Sequence, residues 1–264
     1  MPRPLALHLA ASLLRAARRL GDGTLSLRVA PSGPWGSFNE DAPSGTQYQL
    51  AALEHAVPGL EVLPDALPLD RASLSALIKA NFRLHRDGVA ELSEGYTTLD
   101  QGFAALRALS EQMYLERCSS SSTEEGVQVD VTSRWMGSEP LLSGDTGHAF
   151  TYRVRVTNRR GASIQVLGRG WDIVDATGAL AGFIPLDPGN AVVGQQPVVP
   201  PGSTFEYTSG SVLSTPSGVM RGRLAVTELK GLRPWRRGEE FFQVPIKPFA
   251  LLRPQSGGGA AGGG

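Results

Sequence analysis

Histidine is the residue whose spacing predicts metal or acid–base chemistry most directly, and this chain has four. They stand at His8, His55, His85 and His148, without HxH or HExxH spacing. A preorganised metal site needs ligands close together on one strand or one helix face. The histidine pattern therefore predicts capping or surface roles, and neither a metal site nor a histidine base.

Sequence patterns for other catalytic groups are also missing. The chain has no GxSxG around a nucleophilic serine and no GxxxxGK[ST] loop for a nucleotide phosphate. Ser209 and Ser211 flank Gly210 without a predictable base nearby, so we interpret them as turn residues. Cys118 is the sole cysteine, which excludes an internal disulfide and a cysteine-rich zinc site. We expect that the protein is not an enzyme.

The second half of the chain contains one cluster of basic and aromatic residues. Its members are Arg221, Arg223, Arg233, Trp235, Arg236 and Arg237. They are either solvated arginines on a strand and loop or a contact patch for an acidic partner or RNA. The whole chain balances 25 basic against 25 acidic residues, so its net charge gives no argument for DNA or a membrane surface. We expect no DNA partner and do not favour RNA.

Helical periodicity dominates the first 118 residues. Three helices are predicted: one over residues 5–20, one capped by Asp70 or Ser73, and one capped by Thr97 or Thr98 that ends near Cys118. The first has an apolar stripe of Leu5, Leu9, Leu13, Ala16 and Leu20. Residues 21–69 are rich in glycine and proline and are predicted to form a long loop insertion.

The period changes to two after residue 126. Residues 119–126 are polar and are predicted to be a linker. Beyond them, alternating apolar residues from Val127 to Val131 and from Phe150 to Val156 predict half-buried strands. Six or seven such strands over residues 127–254 favour a sandwich over a closed barrel. Residues 255–264 form a glycine-rich tail that is expected to be disordered.

The segment from Val192 to Leu224 carries a dense motif. Gly194, Gln196, Pro197, Pro201, Gly202, Phe205, Tyr207, Ser209, Gly210, Thr215, Pro216, Gly218, Met220 and Gly222 stand where the ApaG domain carries GxQPxLxPGxxFxYxSGxxLxTPxGxMxG. The chain therefore resembles the ApaG family. The resemblance implies an immunoglobulin or fibronectin type III-like β-sandwich that acts by binding and not by catalysis.

Two departures from the ApaG pattern bear on ligands. The family's glycine loop corresponds to residues 189–194, where Ala191 replaces the middle glycine. A phosphate loop also needs a following helix, which Pro197 and Pro200 disfavour. Gly170 stands where the family has a histidine, which weakens the case for a metal site. No resident cofactor is expected.

The helical region resembles the LYR superfamily of three-helix mitochondrial proteins. The likeness lies in ALHLAASLLRAARRL at 6–20, LIKANFRLHRD at 77–87 and GFAALRAL at 102–109, although Leu9, Ala10 and Ala11 replace the defining tripeptide. The resemblance implies acyl carrier protein as a partner, with its acyl-phosphopantetheine arm among the helices as an indirect cofactor. The partner-binding candidates are Arg15, Arg18, Arg19, Phe82, Arg83, Arg86 and Leu106.

Residues 1–21 hold four arginines and no acidic residue. This composition fits a mitochondrial or plastid transit peptide, and it also fits an amphipathic helix that packs on its neighbours. Together with the LYR resemblance it predicts a mitochondrial location, with plastid and cytoplasm as alternatives. No apolar run approaches the ~20 residues that span a bilayer, so no transmembrane segment is predicted.

The predicted fold is an α+β multidomain chain, with an LYR-like helical region over 1–118 and an ApaG-like sandwich over 127–254. We expect a non-catalytic adaptor, either an assembly factor or an accessory subunit of a large mitochondrial complex, that binds protein partners. The alternative is a small-ligand or divalent-metal-ion binding protein related to bacterial ApaG. A hydrolase ranks third.

Overall fold

The computed structural model describes residues 3–20, 22–26, 28–45, 47–48, 69–87, 92–142, 144–229 and 239–254. For residues 3–4, 81–87, 92–99 and 101 it describes the main chain alone. The chain divides into a helical unit of residues 1–29 and 45–116 and a sandwich unit of residues 30–44 and 117–264. No helix in the described part is both long enough and apolar enough to cross a membrane.

The helical unit contains three helices and a two-stranded sheet. The elements are α1 (Arg3–Arg18), β1 (Thr24–Leu25), β3 (Leu69–Asp70), α2 (Arg71–Asp87) and α3 (Leu92–Arg117). β1 and β3 pair antiparallel. The prediction of three helices is therefore confirmed.

The core of the helical unit is built from the apolar faces of its helices. The buried residues are Leu9, Leu13, Ala16 and Ala17 of α1, Leu25, Leu69, Leu74 and Ile78 of α2, and Leu109 of α3. Four of the five residues predicted on the first stripe contact this core, whereas Leu5 is exposed. Each buried leucine contributes about 1.5–3 kcal/mol. This packing accounts for the amphipathic pattern of residues 5–20.

The predicted helix starts have different outcomes. Asp70 caps α2, because its Oδ1 accepts a hydrogen bond from the Ser73 main-chain N–H at 2.6 Å, and that bond lowers the pKa of the Asp70 carboxyl. The prediction that Thr97 or Thr98 caps the last helix is wrong, since α3 begins at Leu92. Glycine and threonine inside a helix cost about 1 kcal/mol or less each, so Gly95, Thr97 and Thr98 do not stop it.

The sandwich unit consists of two antiparallel sheets. The first sheet has the order β2-β10-β6-β5-β4, and the second has the order β12-β11-β7-β8, with β9 also paired to β7. The strands are β2 (Phe38–Asn39), β4 (Ser119–Glu124), β5 (Val127–Pro140), β6 (Thr146–Asn158), β7 (Ile164–Asp175), β8 (Leu180–Ile184), β9 (Val198–Val199), β10 (Thr204–Leu213), β11 (Ser217–Glu228) and β12 (Phe242–Leu252). The predicted all-β sandwich is confirmed.

The sandwich core lies between the two sheets. The alternating residues of the predicted strands point inward, and Val127, Val129, Val154 and Val156 have essentially no exposed surface. An aromatic cluster fixes the centre, where the Trp171 ring lies 5.6 Å from the Tyr152 ring and 6.0 Å from the Phe249 ring in edge-on geometry.

Residues 119–124 are a strand and not the linker predicted from their polarity. They form β4, which pairs antiparallel with β5 through a turn that includes Gly126 at φ 72°. The hydroxyls of Ser120 and Ser122 donate hydrogen bonds to the Lys247 and Pro245 carbonyls of β12, at 2.9 and 2.8 Å. Serine is used here because its hydroxyl satisfies main-chain acceptors on a neighbouring sheet edge.

Residues 30–44 belong to the sandwich, although the sequence predicts a loop insertion over 21–69. The Gly36 N–H donates to the Thr208 carbonyl, and the Thr208 N–H donates to the Ser37 carbonyl, both at 2.8 Å. The Arg155 guanidinium pairs with Glu206 at 2.5 Å and donates to the Pro43 carbonyl. This segment therefore covers the outer side of β6 and β10, so β6 is buried on both faces where the sequence predicts one buried face.

Candidate protein-binding surface

The outer face of the second sheet exposes a set of apolar side chains. The strand register aligns Leu180 with Val174 and Val174 with Val219, and it places Phe183 opposite Asp172 in the adjacent row. Leu180 is 63% exposed, Phe183 60% and Val219 43%, while Val174 is half-buried. We call Leu180, Phe183, Val174 and Val219 the β8 patch.

A basic flank adjoins the β8 patch on β11. Arg221 lies opposite Asp172 in the register, and its Nε is 3.4 Å from the Asp172 Oδ2. Arg223 follows on the same face and is exposed. The remaining members of the predicted basic and aromatic cluster, residues 233–237, lie outside the described residues. The described part of this cluster therefore combines with apolar side chains that the sequence analysis did not select.

The turn before β8 fixes the position of the patch. The Asp175 Oδ1 accepts hydrogen bonds from the Thr177 hydroxyl, the Thr177 N–H and the Ala179 N–H at 2.6, 2.8 and 3.0 Å. The Thr177 hydroxyl and these amides hold the pKa of the Asp175 carboxyl below its usual range. Gly178 completes the turn at φ 88°, and Pro185 follows the last residue of β8.

The loop after β8 limits the patch at its other end. Gly170 of β7 leaves space for this loop, because a Cβ there would lie 2.9 Å from the Leu186 main-chain nitrogen. At Gly168 a Cβ would collide with the Asp187 carbonyl. The loop therefore covers one end of the outer face and leaves the β8 patch uncovered by any described residue.

The residues predicted from the ApaG motif serve the fold. The Gln196 side-chain amide donates to the Leu167 and Pro188 carbonyls at 2.8 and 2.7 Å, which fastens the loop to β7. Gly194 and Gly202 adopt φ values of 81° and 74°, which favour glycine. Tyr207 and Met220 are buried in the sandwich core.

The other motif residues lie in turns and close strand contacts. The Thr215 hydroxyl donates to the Ser217 carbonyl at 2.8 Å. A Cβ at Gly210 would collide with the Trp35 ring, one at Gly218 would lie 2.7 Å from the Val174 carbonyl, and one at Gly222 would collide with the Gly170 carbonyl. The carbonyls of Pro197, Ser209 and Pro216 accept hydrogen bonds from Val166, Thr151 and Arg253, and Pro201 lies in the turn before β10. The motif residues therefore do not converge on one site.

The glycine loop at 189–194 uses several of its polar groups internally. The Gly189 N–H donates to the Asp187 carboxylate at 2.7 Å, and the Asn190 N–H donates to the Asp187 carbonyl at 2.9 Å. Val192 and Gln195 exchange main-chain hydrogen bonds with each other. The Arg169 guanidinium donates to the Ala191 carbonyl at 2.8 Å. These amides are already satisfied, so they do not form a phosphate cradle.

The partner-binding candidates of the helical unit are distributed over its helices. Arg15, Arg18 and Arg19 are exposed at the end of α1, and the Arg15 guanidinium donates to the Ser12 hydroxyl at 3.0 Å. Leu106 is half-buried and packs against the helical core. Phe82, Arg83 and Arg86 lie on α2, but their side chains are outside the described residues.

Titratable side chains do not converge in the described part of the chain. No group of three or more His, Cys, Asp and Glu residues is placed there to hold a metal ion. His8 is exposed, and His148 is buried with its Nδ1 3.3 Å from the Ser138 hydroxyl. Cys118 is fully buried. The arrangement offers binding by shape and charge.

Comparison with known proteins locates the similarity in the sandwich. The ApaG domain model matches residues 139–228. Protein ApaG of Anaeromyxobacter dehalogenans is 39% identical over 137 residues, which are 52% of this chain and 98% of that protein. Protein ApaG of Chromohalobacter salexigens is 36% identical over 51% of this chain and 96% of that protein. A Bordetella pertussis crystal structure is 36% identical, covers 49% of this chain and 95% of its own, and has a TM-score of 0.39.

The comparisons correct the predicted location. The matched relatives are bacterial proteins, so the mitochondrial location is wrong. That prediction relied on the arginine-rich residues 1–21, but their amphipathic pattern is explained by the packing of α1 in the helical core. The helical unit has three helices, and the comparisons give no support to its LYR-like nature.

Sequence reasoning missed Leu180 and Phe183, the most exposed members of the β8 patch. The available signal was the run LAGFI between the turn residues 175–178 and Pro185. Such a run is typical of a short strand, but whether its side chains are buried depends on which elements cover it.

Proposed function

The chain belongs to the ApaG family, and from that membership we propose that it is a non-catalytic adaptor whose sandwich binds a protein partner through the β8 patch. The observation that carries this proposal is the adjacency of exposed Leu180, Phe183 and Val219 to the exposed arginines of β11. Contiguous apolar patches with a polar rim mark interaction surfaces.

The composition of the surface suits a protein partner. Interface centres are enriched in aromatic residues and arginine, which contribute most of the binding free energy. Phe183 supplies an aromatic anchor, and Arg221 and Arg223 supply positive charge beside it. Asp172 is the acidic residue that pairs with Arg221 on this face. The expected partner presents an apolar centre with acidic residues on the side that meets β11.

The non-catalytic role is supported by the chemistry of the described side chains. Burial raises the pKa of the Tyr152 and Tyr207 hydroxyls, which therefore stay protonated and cannot act as bases. Cys118 is buried and so is not accessible as a nucleophile. A divalent-metal-ion role is the alternative, and stoichiometric metal in the purified protein would favour it over the adaptor.

A matched pair of variants tests the adaptor proposal. Phe183→Glu places a charge in the β8 patch, whereas Leu142→Glu makes the same kind of change at a fully exposed apolar residue outside it. Proteins captured by each variant from the source cells are quantified by mass spectrometry. We expect Phe183→Glu to reduce capture of a specific partner about tenfold, with no loss for Leu142→Glu. Equal capture by both variants would contradict the proposal.

We propose a second partner site on the helical unit. α1 carries no acidic residue, and Arg15 and Arg18 are exposed in its last turn. This arrangement favours an acidic partner surface, for which acyl carrier protein is the candidate. In pull-down with acylated carrier protein at low salt, Arg15→Glu with Arg18→Glu is expected to reduce retention, while Arg107→Glu on α3 serves as the exposed control. Retention by the charge-reversed protein would refute this site.

A further inference from the structure

The edges of the two sheets differ in how they are protected. β12 contains Pro245, Lys247 and Pro248, and two of its carbonyls accept hydrogen bonds from serines of β4. β9 is flanked by Pro197 and Pro200. Prolines and charged side chains on an edge prevent another strand from pairing with it. These edges are closed to a further strand.

The first sheet is protected by other means. Its edge strand β4 has the sequence SSSSTE, whose side chains are polar and mostly exposed or half-buried. At its opposite edge β2 is only two residues long. Short polar edges of this kind offer little apolar surface to an incoming strand.

β8 lacks every one of these protective features. Its sequence LAGFI has no proline and no charged residue. Within the described part of the chain β8 pairs with β7 alone, so its opposite side is an open edge. Half of the main-chain N–H and C=O groups of a strand point to each side. The open side of β8 therefore presents main-chain donors and acceptors beside exposed Leu180 and Phe183.

We propose that the protein partner binds by adding an extended strand of its own chain to the open edge of β8. This inference rests on the proposed function of the β8 patch and specifies how the patch is recognised. Main-chain groups on the edge require an extended occupant, because a strand is the structure that satisfies them in a row. The added strand carries apolar side chains on the face it shares with Leu180 and Phe183.

The register makes a second copy of this chain a poor occupant. A bulge at Ala181 separates the pair Ile173–Gly182 from the pair Val174–Leu180. Leu180 therefore shares the outer face with Val174, whereas Ile184 shares the inner face with Trp171. Paired residues must lie on one face of a sheet. Two antiparallel copies of β8 satisfy this condition only over residues 182–184, because Pro185 follows.

Selected peptides test strand addition directly. A phage-displayed library of random 12-residue peptides is selected against the full chain, and Kd is measured for wild type, Phe183→Glu and Leu142→Glu. We expect bound peptides with alternating apolar residues, and affinity about tenfold lower for Phe183→Glu alone. Two peptide analogues are then N-methylated at alternate residues, one in each frame. Strand addition predicts that one frame loses binding and the other retains it.

The outcomes separate the two proposals. Peptides that depend on Phe183 but tolerate N-methylation in both frames would refute strand addition and leave the β8 patch as a binding surface. Failure to select peptides, or binding that does not depend on Phe183, would overturn both proposals. Self-association in analytical ultracentrifugation that is lost in Phe183→Glu would overturn the choice of a separate partner.

Ala181→Pro provides a test within the protein. Ala181 is the bulge residue and has no partner on β7 in the strand register, and proline is tolerated at bulges. We expect this variant to keep the thermal unfolding midpoint of the wild type and to lose peptide binding about tenfold, because proline obstructs the open edge. Unchanged peptide affinity in the folded variant would contradict strand addition.

Discussion

At the scale of single residues, the faces of β6 determine which substitutions the sandwich tolerates. Val154 is fully buried between the sheets, and Arg153 and Arg155 on the opposite face are also buried, at 6% and 5% exposure. Residues 30–44 cover part of that opposite face. A charge change at Arg153 is therefore no test of an exposed face.

We expect Val154→Asp to lower the free energy of unfolding by several kcal/mol. The reason is that an unpaired carboxylate would replace an apolar side chain in the core. Arg223→Asp is the matched control, because Arg223 is an exposed strand residue on the outer face of the second sheet. Urea unfolding of both variants measures the difference. Comparable losses in the two variants would contradict the assignment of the faces.

Tyr207 makes stability depend on pH in the alkaline range. Burial raises the pKa of its hydroxyl above the ordinary value of 10.0, and nearby Tyr152 adds to the rise. The folded protein holds this proton more tightly than the unfolded chain, so stability is complete below pH 10 and falls as pH rises above it. Tyr207→Phe is expected to flatten the decline in urea midpoint between about pH 10 and 11. An unchanged slope would contradict this cause.

The hydroxyl of Tyr207 also has no hydrogen-bond partner among the described residues. Its removal at neutral pH therefore sacrifices little, and we expect Tyr207→Phe to change the free energy of unfolding by less than about 1 kcal/mol. This small effect at neutral pH is what separates the titration of the hydroxyl from loss of packing.

At the scale of elements, the glycines of β11 set how closely its neighbours approach. A Cβ at Gly222 would collide with the Gly170 carbonyl and lie 2.5 Å from the Trp171 ring. Gly222→Ala is therefore expected to lower the free energy of unfolding by about 1–3 kcal/mol through overpacking. Gly161→Ala is the control, because no atom lies within 4 Å of its Cβ position. Equal melting temperatures of the two variants would show that β11 can shift without cost.

The elements also show where sequence reasoning succeeds. Alternation from Val127 to Val131 predicted β5, and the Asp70 cap predicted the start of α2, because both signals are local in the chain. β4 and β2 were missed, since Ser120 and Ser122 bond to residues more than 120 positions away and Phe38 pairs with Tyr207. Such partners are chosen by the tertiary fold and leave no periodic pattern.

The same limit applies to the candidate site. The motif residues from Gly194 to Gly222 identified the fold, because turns and close contacts require particular residue types. Leu180 and Phe183 follow no motif, and their exposure is known only once the covering elements are placed. The sequence could therefore predict the family and the architecture but not the surface that we propose for binding.

At the scale of the whole molecule, the sandwich unit is assembled from two separate stretches of chain. A fragment of residues 117–254 retains both sheets except for β2, but it lacks the cover that residues 30–44 give to Arg155 and Gly210. We expect this fragment to unfold cooperatively at a lower temperature than the sandwich of the full chain, as measured by calorimetry. A non-cooperative transition would contradict the independence of the sandwich.

The central claim is that the outer face of the second sheet contacts a protein partner. Photo-crosslinking measures such contact most directly, with p-benzoylphenylalanine placed at position 183 or, as a control, at the fully exposed position 142. The full chain is irradiated in its source cells and analysed by denaturing gel and mass spectrometry. The account predicts a discrete crosslinked partner from position 183 and none from position 142. Absence of an adduct at 183, or the same adducts from both positions, would contradict it.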